Sequence, residues 1–357
     1  MSSQTCSPSF SDDLPTLSLC LQRWLVKHWR SSARLLNLQR SAGGYSNITL
    51  LAELQTDEGT QGIVIRIQPE GASVFPDCDV QTQYRTLTLL QGSGLPVPAL
   101  LGLELDSSVI GAPFFLMARI EGRVPNENPP YHLEGWFHDL APQPMRQHWF
   151  AGVDGFAALA KLDWRALGFS FLLPQQGQSP LVQLLDYYER MLGWSESLSG
   201  RSYPLLWRAM DWLQLHQPQD EPMALSWGDA KLGNCVFDSD GRLVGMLDWE
   251  RPALANPVDD LAWWLMLDES MCTGYGLPRL AGLPEKAETI ARWEQVSGCS
   301  ATDLPYYELL AAWRFAIVMS RIGDIFTKRG WVAPDARMDE RNGGSRLLEL
   351  HAERLNF

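Results

Sequence analysis

The stretch from residue 223 to 250, MALSWGDAKLGNCVFDSDGRLVGMLDWE, limits what this chain can fold into more than any other. Cys235, Val236 and Phe237 form a short apolar run, Asp238 to Gly241 is turn chemistry, and Leu243 to Leu247 is apolar again. Two apolar runs across an Asp- and Gly-rich turn predict a β-hairpin. A hairpin returns on itself, so the residue entering one arm and the residue leaving the other meet at its open end. Asn234 enters and Asp248 leaves. Asp229 precedes Asn234 by five residues and Asp248 by 19. The spacing therefore predicts two carboxylates and one amide at a single mouth.

That set suits phosphoryl transfer, which needs little covalent help from a protein but does need a placed metal and an oriented hydroxyl. Mg²⁺ prefers hard oxygen ligands and is usually held by one or two carboxylates together with phosphate oxygens. Asp248 can supply the carboxylate and Asn234 an amide oxygen. Asp229 is then free to accept a hydroxyl proton. Each residue alone is an ordinary loop acid or strand-end amide; the three together, with a hairpin between them, carry the reading. Trp227 reads as an apolar ring packed beneath the loop.

Composition sets bounds. A chain of 357 residues, 45% hydrophobic and 20% charged, has the make-up of a soluble globular protein with two domains or one large bilobal one. No apolar run reaches transmembrane length, and the polar opening segment with Asp12 and Asp13 does not resemble a secretory signal. Six cysteines without paired spacing read as free thiols in a reducing, cytoplasmic setting. The net charge of −13 argues against a nucleic-acid partner. Residues 121–357 carry 21 basic and 32 acidic side chains, a balance of −11. An acidic lobe can attract cationic substrates, though solubility explains it as well.

Along the chain, residues 1–13 are expected to be a disordered tail. Leu17, Leu21, Trp24, Leu25 and His28 recur at helical spacing. Strands are expected over 36–40, 48–54, 63–67, from Pro96 to Leu103, and over 113–117. A helix is expected over 79–91 between the third and fourth. Helical patterns follow from 145, over 181–192 and 205–215, after Asn256-Pro257, and over 285–296, 303–325 and 341–355.

The Asp-x4-Asn spacing with a later Asp resembles the catalytic loop and metal-binding aspartate of kinases. More closely, it is similar to the aminoglycoside phosphotransferase and choline kinase-like superfamily, whose pattern is His-Gly-Asp-x4-Asn. Trp227 stands at the His position, and Asp248-Trp249-Glu250 where protein kinases carry Asp-Phe-Gly. The run Trp-Gly-Asp-Ala-Lys-x-Gly-Asn resembles a branch that includes kinase-like domains fused to acyl-CoA dehydrogenases. The resemblance covers roughly 30–330. It implies an α+β, bilobal protein kinase-like fold, with an antiparallel N-lobe sheet plus a helix over 14–119 and a mainly helical C-lobe over 120–357.

The resemblance also implies site residues. Gly43, Gly44, Ser46 and Asn47 correspond to the nucleotide-binding loop, although by itself this run is a plain turn. Arg66 stands where the family places a lysine against the α- and β-phosphates, and Gln83 where that lysine's acidic partner is expected. Gln83 cannot form an ion pair, which is the chain's main departure from the pattern. Ala118 and Ile120 belong to a stretch over 118–122 that resembles the interlobe hinge whose backbone holds adenine, and Met117, just before it, corresponds to the residue lining the ring pocket. Lys161 to Trp164 resembles a family helix end. Asp260 corresponds to an acid that braces the catalytic loop, while Asp259 or Asp260 could equally be a helix cap.

The expected activity is ATP- and Mg²⁺-dependent phosphorylation of a hydroxyl on a small molecule, of aminoglycoside or hydroxyacyl type. Asp229 and Asp260 serve catalysis, and Asn234 and Asp248 serve the metal. CoA is polyanionic and would need a basic patch that the acidic second part does not advertise. The competing expectation is a kinase-like module that binds nucleotide without catalysis. No nucleic-acid or membrane partner is expected. Oligomeric state and the choice of ATP over GTP leave no trace in the sequence.

Overall fold

The computed structural model describes residues 13–29, 32–41, 47–69, 73–77, 79–174, 177–219 and 222–355. Of the tail expected over 1–13, residues 1–12 lie outside these, as do the loop residues Gly43, Gly44 and Ser46, whereas Asp13 is described and caps the first helix. The chain divides into two compact units, Met1–Gln91 with Val97–Glu121, and Gly92–Pro96 with Gly122–Phe357.

The first unit contains α1 (Leu14–His28), β1 (Arg34–Arg40), β2 (Ile48–Thr56), β3 (Gly59–Ile67), α2 (Val80–Leu90), β4 (Leu100–Glu104) and β5 (Phe114–Ala118). The strands form an antiparallel sheet in the order β1-β2-β3-β5-β4. Asp13 starts α1 by accepting the Thr16 N–H at 3.0 Å. The helical stripe then buries Leu17, Leu21, Trp24 and Leu25 in one apolar cluster with Leu50, Ala52, Leu54, Ile63, Ile65 and Ile67 of the sheet. Alternation along β3 puts these isoleucines on one face and Val64 and Arg66 on the other.

On that second face Arg66 pairs with Thr49 of β2 and Phe115 of β5. The Tyr84 ring of α2 meets Phe115 edge-on at 5.9 Å, so α2 covers the face that carries Arg66. The fourth strand begins at Leu100, later than the expected Pro96, because prolines have no N–H to give a ladder. One expectation fails here. Cys20, buried in α1, is disulfide-bonded, so the cysteines are not all free thiols. Cys235, Cys272 and Cys299 are free. The irregular spacing gave no hint of the bridge, since tertiary contact and not sequence interval decides which thiols meet.

The second unit is mainly helical: α3 (Pro142–Ala157), α4 (Trp164–Leu167), α5 (Pro180–Ser199), α6 (Pro204–Leu215), α7 (Val258–Cys272), α8 (Lys286–Ser297), α9 (Leu304–Lys328) and α10 (Gly343–Leu355). Between α6 and α7 lie four short strands, β6 (Ala224–Ser226), β7 (Cys235–Phe237), β8 (Leu243–Met246) and β9 (Ala253–Ala255). β7 and β8 form the expected hairpin, with Cys235 opposite Met246. β6 pairs with β9, which the sequence reading did not foresee. Helix α7 is buried on nearly every side, its carboxylates Asp259, Asp260 and Asp268 included. Its Trp264 packs edge-on against Trp149 of α3 at 5.1 Å. Among the described residues no helix is long and apolar enough to cross a membrane.

Candidate active site

The site in the second unit is built on the turn after β6. Gly228 has φ +81°, a region that favours glycine, and a Cβ placed there would lie 1.8 Å from the Arg251 carbonyl oxygen. Only glycine lets the chain turn here and deliver Asp229. A 3-10 turn over Leu232–Asn234 then leads into β7.

Asn234 closes this loop on itself. Its Nδ2 donates to the Asp229 carbonyl at 3.0 Å and to Asp229 Oδ2 at 2.8 Å. The other oxygen, Oδ1, accepts from Trp263 Nε1 of α7 at 2.9 Å. Across the hairpin, the Leu247 N–H donates to the Asn234 carbonyl at 2.9 Å. Asp248 follows Leu247 directly and so stands beside Asn234. Its φ of +57° lies in the left-handed region, which Asp tolerates better than most residues. The hairpin thus delivers Asn234 and Asp248 to one mouth next to Asp229.

Trp227 does pack beneath the loop, and it also pins it. Its ring is fully buried and stacks on Trp249 at 5.6 Å, and its Nε1 donates to the Leu247 carbonyl at 2.9 Å. Asp260, in the first turn of α7, is no simple helix cap. It accepts from Ser226 Oγ at 3.0 Å, the Trp227 N–H at 2.8 Å and the Gly228 N–H at 3.0 Å. Asp259 points elsewhere and accepts Arg314 Nη1 on both oxygens at 2.7 Å. Burial, with the charge of Asp259 behind it, pushes the Asp260 carboxyl up to about 6 against the pull of its three donors.

Two residues that the sequence reading left without a role belong to the same cluster. Lys231 Nζ lies 3.6 Å from Asp229 Oδ2 and 3.1 Å from the Glu127 carboxylate. Burial works against its charge, yet Asp229, Glu127 and Asp248 together hold the ammonium well above the ordinary lysine range. Glu127 packs so closely on Gly233 that a Cβ there would lie 2.6 Å from its carboxyl carbon. Lys231 sits inside the quoted motif, two residues after Asp229, so its position was a usable signal. Glu127 lies in a proline-rich loop 104 residues earlier and gave none.

The donor set fits a divalent ion completed by phosphate. Asn234 spends its Nδ2 on Asp229, which leaves its Oδ1 as a hard oxygen, and Asp248 supplies a carboxylate one residue beyond the Leu247 N–H that bonds the Asn234 carbonyl. Among the described residues no group of three or more His, Cys, Asp or Glu side chains forms a metal cage.

In the first unit, Arg66 lies on the central strand β3, is 8% exposed, and donates from Nη1 to Thr49 Oγ1 at 3.0 Å. Gln83 is buried on α2, and Asn47 is buried just before β2. Met117 and Ala118 end β5, opposite Val64 and Ile63, and Ile120 follows two residues later.

The fold is protein kinase-like. The profile of the phosphotransferase enzyme family matches residues 37–289, and the chain belongs to that family. It is 26% identical over 334 residues to the probable acyl-CoA dehydrogenase IBR3 of Arabidopsis thaliana, covering 88% of this chain and 39% of that protein. It is 23% identical to human acyl-CoA dehydrogenase family member 11, covering 88% and 38%. The chain therefore spans about two fifths of these relatives. Among solved structures, a candidate aminoglycoside phosphotransferase of Ralstonia eutropha superposes with a TM-score of 0.70 at 23% identity, covering 94% of this chain and 97% of that one. Ethanolamine kinase of Plasmodium vivax superposes with a TM-score of 0.59 at 11% identity, covering 95% and 89%.

Proposed function

We propose that the chain transfers the terminal phosphoryl group of ATP, in the presence of Mg²⁺, to a hydroxyl of a small molecule. The observation that carries this is the Asp229 carboxylate, held on one oxygen by Asn234 and on the other by Trp263, with the Lys231 ammonium alongside. In the reaction the acceptor oxygen bonds to the γ-phosphorus while the bond from phosphorus to the β,γ-bridging oxygen breaks. The electron pair leaves with ADP, and the acceptor's proton passes to Asp229. Asp260 keeps the Ser226-to-Gly228 backbone in place, so that Asp229 needs no rearrangement at that moment. Mg²⁺, held by Asn234 and Asp248, would neutralise charge developing on the phosphates.

The nucleotide-binding assignments rest on the family resemblance and are part of the proposal: Gly43, Gly44, Ser46, Asn47, Arg66 and Gln83 toward phosphates, and Met117, Ala118 and Ile120 toward adenine. The matches to acyl-CoA dehydrogenase family members support an acyl-type acceptor bearing a hydroxyl over an aminoglycoside. A second reading, nucleotide binding without transfer, draws support from glutamine at position 83, where the family pattern carries an acid. The test is turnover of Mg²⁺-ATP by the purified chain against hydroxyacyl thioesters, their free acids and aminoglycosides, with mass spectrometry of the acceptor. Transfer to a hydroxyacyl compound that disappears in Asp229→Ala supports the proposal. ATP binding with no phosphorylated product from any acceptor would establish the second reading.

A further inference from the structure

Helix α7 meets the catalytic loop twice. Asp260 takes the backbone donors ahead of Asp229, and Trp263, three residues on and so on the same helix face, reaches the Asp229 carboxylate. The Trp263 ring is itself fixed. The Arg314 guanidinium lies 4.7 Å from its ring centroid, and the Phe315 ring meets it edge-on at 6.1 Å. Arg314 is anchored in turn by Asp259. Burial disfavours its charge, but Asp259 and Tyr188 hold it above even the ordinary arginine range.

An indole N–H is a donor in every protonation state and cannot accept. It therefore fixes a carboxylate without competing for its proton. The two Asp229 oxygens are consequently unequal. Oδ2 takes Asn234 Nδ2 and faces Lys231 at 3.6 Å, whereas among the described residues Oδ1 takes Trp263 alone.

We propose that Trp263 is the positioning residue of the phosphoryl-transfer site: its indole N–H sets the rotation of the Asp229 carboxylate and so selects Oδ1 as the oxygen that receives the acceptor hydroxyl. This rests on the phosphotransferase reading of Asp229.

The experiment uses two replacements of Trp263 in the full chain. Trp263→Phe removes the N–H and part of the ring. Incorporation of β-(3-benzothienyl)alanine exchanges only the N–H for sulfur and keeps the shape, so it separates positioning from packing. Both should lower kcat roughly tenfold to a hundredfold, the range seen when a partner that orients a reacting group is removed, with KM for ATP unchanged. The benzothienyl variant should melt at the wild-type temperature. Independently of turnover, the Trp263 indole N–H resonance, assigned by its loss in Trp263→Phe, should move in Asp229→Ala. A wild-type kcat in the benzothienyl variant, or a resonance indifferent to Asp229→Ala, overturns the proposal. Turnover lost in Asp229→Ala but kept in both Trp263 variants overturns the positioning role alone. Turnover that survives Asp229→Ala removes the catalytic reading of Asp229, and the role of Trp263 with it.

Discussion

Asp260 holds Gly228 from across 32 residues of chain: its Oδ1 accepts the Gly228 N–H at 3.0 Å, while its Oδ2 takes the neighbouring Trp227 N–H at 2.8 Å. Both oxygens are engaged at full burial, so the group cannot be replaced by water without moving α7. Asp260→Ala should leave two backbone N–H groups and the Ser226 hydroxyl without their acceptor. We expect a loss of about 3 kcal/mol in urea unfolding, together with a fall in kcat. A loss below about 1 kcal/mol would mean that solvent satisfies these donors and that the brace is not needed.

Gly228 can be compared with Gly276. Both have positive φ, +81° and +69°, but only Gly228 would drive a Cβ into a backbone oxygen; Gly276 faces open space. Gly276→Ala should cost about 1 kcal/mol, the strain of the left-handed conformation alone. Gly228→Ala should cost several-fold more and abolish turnover. Equal costs in thermal unfolding of the two variants would show that the loop can move away from Arg251.

Asp248→Asn tests the metal. The substitution keeps the size of the side chain and removes a hard charged ligand, so nucleotide binding should weaken with Mg²⁺ and stay nearly the same without it. Titration calorimetry in both conditions reads this directly. Equal losses would make Asp248 a residue that serves the fold.

Arg66 and Gln83 test the nucleotide assignment. Arg66 is charged, on a central strand, and paired across to Thr49. If it clamps phosphates, Arg66→Ala should weaken ATP binding by about 1.5–3 kcal/mol, the loss of a charge-assisted hydrogen bond. Gln83→Glu should be tolerated or mildly harmful. ATP affinity like wild type in Arg66→Ala would remove it from the site.

Two buried groups titrate with opposite effect on stability. His351, on α10, is driven from 6.5 down to about 4 by burial and by the charges of Arg354 and Lys286. Its depressed folded value means that its contribution is present above about pH 6.5 and lost as pH falls through 4. Asp260 is raised from 3.8 to about 6, so its contribution is present below about pH 3.8 and lost as pH rises through 6. Between these values the two slopes oppose one another. His351→Gln should therefore flatten the acid limb of wild-type stability by up to about 3 kcal/mol. Urea unfolding of both proteins at about pH 7 and about pH 4.5 checks the sign. A parallel loss in the two proteins would rule out His351 as the titrating group.

The hairpin between Asn234 and Asp248 and the placing of both beside Asp229 follow from local sequence, because a turn and two short apolar runs fix the path within 20 residues. The same holds for the opening helix, whose buried stripe is a matter of period, and for the strands with β-branched runs such as Ile63 to Ile67. The β6–β9 pair escaped notice because three residues are too few to show alternation and their partners lie 27 to 31 positions apart.

What the tertiary structure alone decided is how Asp229 is held. Trp263, 34 positions away, and Glu127, 102 positions before it, reach the cluster only because α7 and the loop after residue 122 pack against the same turn. In the sequence Trp263 is one more large ring in an apolar helix, and Glu127 one more acid among prolines. Residue type and spacing determine which groups can do the chemistry, since spacing controls geometry over one turn or one hairpin. Which side chains orient those groups depends on directional bonds of about 3 Å between segments far apart in the chain, and only the packed core brings such segments together.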